Sequence, residues 1–213
     1  MIRQICSVLD PNNKLHVAAY ACLTVTFWTM ARTVEFVVSD LQSFTASRNI
    51  TRSMIREDVD RSGNWVLIFT LPWTKVKPEG EDVYCSRHDG PADPIAALIN
   101  HLRINNPPPD AALFSWQHHN GMRVLTRSAF TQCISDAATR AGLPKLHFHG
   151  LRIGSVLEYL LRGTPFEAVK TMGRWSSDSF TLYLRKHAVV LAPYIQNSPI
   201  SSQFHKIILP PVR

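Results

Sequence analysis

Acidic residues are scarce in this sequence, and their scarcity limits the chemistry that the chain can perform. Aspartate and glutamate total 16 against 23 lysines and arginines, which gives a formal net charge of +7 and a pI of about 9.5. Metal-dependent cleavage needs clustered carboxylates, but Glu57, Asp58 and Asp60 have the pattern of a hairpin turn. The segment from Asp58 begins like a calcium loop, yet its twelfth position is Phe69 instead of glutamate. We therefore expect no metal-dependent cleavage.

The basic balance predicts a surface that attracts polyanions, of which nucleic acid is the commonest. A basic soluble protein without a nucleic-acid partner has the same composition, so charge alone does not decide between these two interpretations.

Cysteines and long apolar runs are also few. Cys6, Cys22, Cys85 and Cys133 form no C-x-x-C motif, and three of them lie in patterns typical of buried positions. This suits a reducing compartment, the nucleus in a eukaryote and the cytoplasm otherwise. No run reaches the ~20 apolar residues of a membrane span, and no signal peptide is visible, so we expect no membrane partner. The abrupt start is typical of a fragment of a longer protein.

The pattern of apolar and turn residues predicts an α+β fold, mainly α, with a small sheet inserted early. A long buried helix should run from Asp10 to about Ala31, followed by a short helix in "TVEFVVSDL". The segments "ITRSMIRE", "NWVLIFTLP" and "EDVYCS" are β-rich and separated by turn residues, which predicts a three-stranded antiparallel sheet.

Helices return in the second half of the chain, each marked by a start or stop signal. The signals are Asp93 as N-cap before Pro94, Thr126 near a helix start, glycines 142 and 163 at helix ends, and a capping box of Thr164 with Glu167. "SSDSFTLYLRKH" predicts a last regular helix.

The stretch "HGLRIGS", residues 149–155, places a histidine and an arginine at a predicted helix start. Residues three apart share a helix face, so His149 and Arg152 should point the same way from a terminus that favours anions. Arginine offers a planar fork to two phosphate oxygens, and histidine exchanges protons near neutral pH. H-x-x-R alone is more often an ordinary surface pair. His147 and His149 form H-x-H, but no third metal ligand has suitable spacing.

Further positions carry chemistry only in combination. Arg32 ends an apolar helix, where a charge must reach water, a partner or a ligand, although Glu35 could simply pair with it. Lys75 lies where a strand enters a hairpin turn, and such lysines are usually solvated. Trp175 would usually be a core residue, and Tyr183 a half-buried helix residue.

In chain order, A-R-x-x-E at Arg32, a hairpin lysine, H-x-x-R, G-R-W and a tyrosine eight residues later resemble the tyrosine recombinases of phage-integrase type. The ending "GRWSSDSFTLYLR" particularly resembles recombinases of eukaryotic mobile elements such as Cryptons. The resemblance covers about Asp10 to His187. It implies a helical catalytic domain with a small three-stranded antiparallel sheet.

The resemblance also implies a reaction that needs neither metal nor cofactor. Tyr183 would attack a DNA phosphorus to form a 3′-phosphotyrosyl link, while His149 accepts its proton or orients the phosphate. Lys75 would protonate the leaving 5′-oxygen, with Lys77 as the alternative.

The remaining residues would hold the phosphate as its negative charge grows. Arg32 and Arg152 would bind the non-bridging oxygens, and Trp175 would donate its indole N–H to a phosphate oxygen. Glu35 would orient or buffer these cations.

Two departures from the family pattern concern the ends of the site. Trp175 stands where most members have histidine, although some also use tryptophan. The interval from Trp175 to Tyr183 is one residue shorter than usual, which leaves Tyr194 as an alternative nucleophile, but Tyr194 follows Pro193.

The resemblance implies double-stranded DNA as partner and a synaptic tetramer assembled on it. Residues 1–187 would form the catalytic domain, and 188–213 a C-terminal tail that docks on a neighbouring protomer or folds back in cis. We expect the usual N-terminal core-binding domain to be absent, unless the first few residues are its remnant. Two alternatives remain open: relaxation of DNA as in type IB topoisomerases, and a domesticated DNA-binding domain without catalysis.

Overall fold

The structure, a computed structural model, describes residues 1–146 and 148–176. It is mainly helical with a small three-stranded antiparallel sheet, as the sequence predicts, and a further two-stranded antiparallel sheet. The helices are α1 Ile2–Val8, α2 Lys14–Trp28, α3 Pro94–Asn105, α4 Arg127–Arg140, α5 His149–Leu161 and α6 Phe166–Met172. The strands are β1 Ile55–Val59, β2 Trp65–Leu71, β3 Glu81–Cys85, β4 Trp116–His118 and β5 Gly121–Arg123.

Helix α2 is the centre of the fold. The Asn13 side chain caps it by accepting from the backbone N–H groups of Leu15 and His16. Its residues are apolar almost all round, and it packs against α3, α4 and α5, so nearly the whole helix is buried. The backbone then turns sharply at Met30, which has φ 52° and is fully buried. This turn directs Arg32 out of the core.

The sheet has the order β1-β2-β3, antiparallel throughout. Leu67, Phe69 and Leu71 alternate along β2 and face the core. Leu71 pairs with Glu81 and Thr70 with Asp82, so the β2–β3 turn projects beyond these pairs. A Cβ on Gly80 would lie 2.6 Å from the Leu71 carbonyl oxygen, and its φ is +89°, so this turn requires glycine.

Helix α5 is attached to the C-terminal end of α2 by two side-chain hydrogen bonds. Ser155 Oγ donates to the Phe27 carbonyl, and Tyr159 Oη donates to the Trp28 carbonyl at 2.8 Å. The first turn of α5 therefore lies close to the segment that follows α2.

Three sequence predictions about helices are wrong. Helix α2 begins at Lys14, because Asp10 accepts from the Asn12 amide in a preceding turn, and it ends before the left-handed Met30. The expected helix after Arg32 is only a 3₁₀ turn, Thr33–Glu35. Thr164 does not cap α6, because its amide donates to the Tyr159 carbonyl in the turn that closes α5. The β4–β5 hairpin, in which His118 pairs with Gly121, was not predicted from the sequence.

None of the helices in the described part of the chain combines the length and apolar character that crossing a lipid bilayer requires.

Candidate active site

A cleft of about 360 Å³ lies between the segment after α2 and the N-terminal ends of α4 and α5. Its polar lining includes Arg32, Arg127, His149 and Arg152, and among the described residues that line it there is no carboxylate. Three guanidinium groups around one opening suit a bound anion. A larger cleft of about 540 Å³, between β1, β2 and α3, is mainly apolar, and its lining includes Arg52, Arg87 and the carboxylate of Glu57.

Arg32 reaches the cleft from the turn after α2. Glu35 accepts a hydrogen bond from the Arg32 backbone N–H at 2.8 Å and from Nη1 at 3.1 Å. The Arg32 side chain is nevertheless 39% exposed, so this pairing leaves part of the guanidinium open to the cleft. Glu35 thus does pair with Arg32, but it also binds a second arginine, as described below.

His149 and Arg152 line the same cleft from the first turn of α5, the arrangement expected of residues three apart. His149 is exposed, whereas Arg152 is only 4% exposed. Arg152 donates through Nη2 to the Gly173 carbonyl, and its Cζ lies 4.2 Å from the centroid of the Trp175 ring. Such burial of a guanidinium requires partners of this kind.

The G-R-W segment follows α6 and supplies the ring that packs on Arg152. A Cβ on Gly173 would lie 1.3 Å from Cζ3 of Trp175, so only glycine leaves room for the indole. Trp175 is half-buried in this position. The structure therefore brings Arg32, His149, Arg152 and Trp175 together.

Arg174, the middle residue of G-R-W, was assigned no role in the sequence analysis. Its Nη2 lies 2.6 Å from Glu35 Oε2 and its Nη1 lies 2.7 Å from Glu81 Oε1. Glu35 therefore joins Arg32 to Arg174, and Arg174 joins the cleft to the sheet. The motif itself contained this arginine, but no local pattern indicates that its partners lie 139 and 93 residues away. Arg127 in the cleft was also missed, because its segment looked like an ordinary helix start.

Lys75 and Lys77 both lie exposed in the β2–β3 turn, and neither lines the cleft. Thr74 is fully buried beside them and donates to Glu81 Oε1 at 2.8 Å. The turn is therefore connected to Arg174 through Glu81. The role of Lys75, with Lys77 as the alternative, stays a prediction.

The proposed nucleophile Tyr183, the alternative Tyr194, the last predicted helix and the tail 188–213 lie outside the described residues. Of the five tyrosines, the structure describes Tyr20, Tyr84 and Tyr159. None of these three lines the cleft.

Two of the described tyrosines have hydroxyl groups bonded to the backbone. Tyr20 donates to the Pro91 carbonyl and Tyr159 to the Trp28 carbonyl, and burial raises the pKa of both phenols. Both are thus poor nucleophiles. Tyr84 projects from β3, where it pairs with Ile68, and is exposed.

Residues 1–146 and 148–176 contain no group of three or more histidine, cysteine or carboxylate side chains placed to hold an ion. His147 of the H-x-H pair lies outside the described residues.

Comparison with known proteins finds similarity in structure only. No protein-family model and no curated protein matches the sequence. A complex of FLP recombinase with a Holliday junction matches with a TM-score of 0.55 and 14% identity, over 92% of this chain and 46% of that chain. A Flpe–Holliday junction complex and a junction complex of a Flpe mutant match with the same TM-score and identity, each over 94% of this chain and about half of that chain.

The chain thus spans about half the length of these solved structures. Its helices and its three-stranded antiparallel sheet have the fold of the tyrosine recombinase catalytic domain.

Proposed function

We propose that this chain breaks and rejoins DNA strands through a phosphotyrosyl intermediate, without a metal ion. The observation that carries the proposal is the cleft in which Arg32, His149 and Arg152 converge from two segments more than a hundred residues apart. The described residues that line the cleft include cations and no carboxylate, which suits a phosphodiester and its more negative transition state. The fold of the domain, similar to that of recombinases solved with DNA junctions, supports the same function.

In the proposed reaction, the Tyr183 hydroxyl attacks a backbone phosphorus and passes its proton to His149. A bond forms between the phenolic oxygen and phosphorus, and the bond from phosphorus to the 5′-oxygen breaks. The 5′-oxygen takes a proton from the Lys75 ammonium and leaves as a hydroxyl. The phosphodiester bond is exchanged for another ester, so a second 5′-hydroxyl can reverse the step without an external energy source.

Arg32 and Arg152 act on the non-bridging oxygens. Arg152 is held before DNA arrives, because its guanidinium stacks on Trp175 and donates to the Gly173 carbonyl. Such preorganisation is valuable, since the donor does not reorganise during the reaction. Trp175 is proposed to donate its indole N–H to a phosphate oxygen, and Glu35 orients Arg32 through two hydrogen bonds.

We infer site-specific recombination or integration of a mobile element of the Crypton kind, in a homo-oligomeric complex on double-stranded DNA in the nucleus of a eukaryotic host. Relaxation of supercoiled DNA by the monomer would instead favour a topoisomerase. Salt-sensitive DNA binding without cleavage would favour a domesticated DNA-binding domain.

The direct test is incubation with labelled nicked duplexes, followed by a search for a covalent, protease-sensitive DNA adduct. Wild-type protein should form the adduct, and Tyr183→Phe should abolish it while leaving DNA binding nearly intact. Tyr84→Phe is the matched control, because it removes the same hydroxyl from an exposed strand position. Adduct formation by Tyr183→Phe at the wild-type rate would overturn the assignment of the nucleophile.

A further inference from the structure

Arg174 joins two buried carboxylates from different parts of the fold. Its guanidinium contacts Glu35 at 2.6 Å and Glu81 at 2.7 Å, and the side chains of all three residues are at most 11% exposed. One planar fork therefore satisfies an acid from the turn after α2 and an acid from the start of β3. Loss of Arg174 would leave both carboxylates buried without this partner.

The backbone of Arg174 has a conformation that is unfavourable for a residue with a side chain. The Arg174 N–H donates to the Thr171 carbonyl and the Trp175 N–H to the Lys170 carbonyl, which is the Schellman pattern that ends α6. The residue in the Arg174 position of this motif is usually glycine, because its φ is positive. Arg174 has φ 60°, so the chain places a large side chain where glycine would be less strained.

The contact with Glu81 leads to the turn that carries the lysines. Glu81 Oε1 also accepts from Thr74 Oγ1 at 2.8 Å, and Thr74 is fully buried. Thr74 Oγ1 accepts from the Lys77 N–H at 3.0 Å, and the Thr74 N–H donates to the Lys77 carbonyl at 3.0 Å. These two hydrogen bonds join Thr74 to Lys77 and so close the short segment that contains Lys75.

We propose that Arg174 is a positioning residue for the general acid, acting on Lys75 through Glu81 and Thr74. This inference rests on the proposed function, since it assigns Arg174 to the step in which the 5′-oxygen leaves. Arg174 precedes Trp175 in the chain. Its second contact, to Glu35, connects it to Arg32, because Glu35 accepts hydrogen bonds from both arginines. Through Glu81 and Glu35, Arg174 therefore connects the lysine turn to the phosphate-binding groups as well as to the sheet.

A change of leaving group separates this role from a general effect on the cleft. In a substrate with sulfur in place of the 5′-bridging oxygen, the bond from phosphorus to sulfur breaks and a thiolate leaves without a proton. A thiol, with a pKa of about 8.5, is a far stronger acid than an alcohol, so the sulfur substrate needs little help from a general acid. A defect in positioning the lysine should therefore affect the oxygen substrate far more than the sulfur substrate.

The experiment compares single-turnover adduct formation by wild type, Lys75→Ala, Arg174→Ala and Thr74→Val on both substrates. Arg174→Ala and Thr74→Val should slow the oxygen substrate by about 100-fold, the usual contribution of a general acid, and the sulfur substrate at least ~10-fold less. The same ratio should appear in Lys75→Ala. Thr74→Ser should restore the wild-type rate.

Thr70→Val is a matched control on the same hairpin. Thr70 Oγ1 donates to Asp82 at 2.8 Å, and Asp82 is paired with Arg56, so this triad resembles Thr74, Glu81 and Arg174. It lies on the exposed face of the sheet, with the Arg56 side chain 52% exposed. Thr70→Val should react with both substrates at the wild-type rates.

Amide hydrogen exchange of the free protein gives a readout that does not depend on cleavage. Exchange across residues 72–80 should accelerate in Arg174→Ala and Thr74→Val, but not in Thr70→Val. Unchanged exchange, or equal slowing on both substrates, would overturn the inference. If wild type forms no adduct, the proposed function fails, and exchange still decides whether Arg174 holds the turn. If Arg174→Ala does not fold, Thr74→Val carries the same tests.

Discussion

Arg152 is almost entirely buried, although it lies on the wall of a cleft. Burial of a charge is costly unless partners satisfy it, and Arg152 contacts the Gly173 carbonyl and the Trp175 ring. A buried guanidinium held by such partners on a cleft wall is ready to bind a phosphate oxygen without reorganising.

We expect Arg152→Ala to slow cleavage by at least ~100-fold, because it removes a preorganised donor to the transition state. Single-turnover formation of the covalent adduct measures the effect. The control is Arg56→Ala, which removes an exposed guanidinium from β1 and should leave the rate unchanged. A rate for Arg152→Ala within a few-fold of wild type would contradict the proposed role.

Gly173 controls the same contact from the other side. In Gly173→Ala the new Cβ would need the space of the indole, so Trp175 must move off Arg152. We expect slower cleavage by about 10-fold or more and a lower midpoint of thermal unfolding. In the control, Gly154→Ala, the new Cβ would meet only Phe27 at 3.5 Å, and stability should stay equal or rise by about 0.5–1 kcal/mol. Normal cleavage by Gly173→Ala would show that the stacked indole is not needed.

At this scale the sequence predicts types of residue better than partners. His149 and Arg152 were placed together because helical spacing is local. The link from Arg174 to Glu35 and Glu81 could not be predicted, because its ends come from three distant segments that only the tertiary fold brings together.

Helix boundaries depend on which side chain meets the free amides at each end. The prediction of Asp93 as a cap is confirmed, since its side chain accepts from the Ile95 amide. Thr126 likewise caps α4 by accepting from the Ala129 amide at 3.2 Å. Thr164 carries an equally good sequence signal, but its backbone already belongs to the turn after α5. Two adjacent elements compete for the same residue in such cases, and the sequence pattern does not show which of them includes it.

This difference predicts unequal effects of two identical substitutions. Thr126→Ala should lower the free energy of unfolding by about 1 kcal/mol, because a capping hydrogen bond is lost. Thr164→Ala should change it by less than about 0.5 kcal/mol. Urea denaturation of both variants against wild type measures the two values. Equal losses would mean that Thr164 does cap α6.

Small elements were predicted least well. Strands β4 and β5 have three residues each and helix α1 has seven, which is too short for a periodic pattern to be recognised. The three-stranded sheet was predicted because its strands are longer, and turn residues separate them. The elements that form the cleft, α2, α4 and α5, all carried recognisable apolar periodicity or caps.

The whole molecule also contains a buried histidine that links stability to pH. His101 is fully buried, where its Nε2 donates to the Leu113 carbonyl and its Nδ1 accepts from Asn105 Nδ2. Burial lowers its pKa to about 4. Between pH 6.5 and 4 the unfolded state therefore binds more protons than the folded state, so stability is complete above pH 6.5 and falls as the pH drops.

We expect a loss of roughly 3 kcal/mol from His101 across this window. Urea denaturation at several pH values should show the slope in wild type and a smaller slope in His101→Gln. Some slope should remain, because burial also lowers the pKa of His16 and His88. The same slope in both proteins would mean that His101 is protonated in the folded state.

The account of the whole molecule depends on one covalent bond between protein and DNA. The most direct measurement is to trap the adduct on a nicked duplex, digest it with protease and identify the modified residue by mass spectrometry. The account predicts one nucleotide-bearing peptide, modified on Tyr183. A modification on Tyr194 or on any residue other than tyrosine, or DNA cleavage with no covalent adduct, would contradict it.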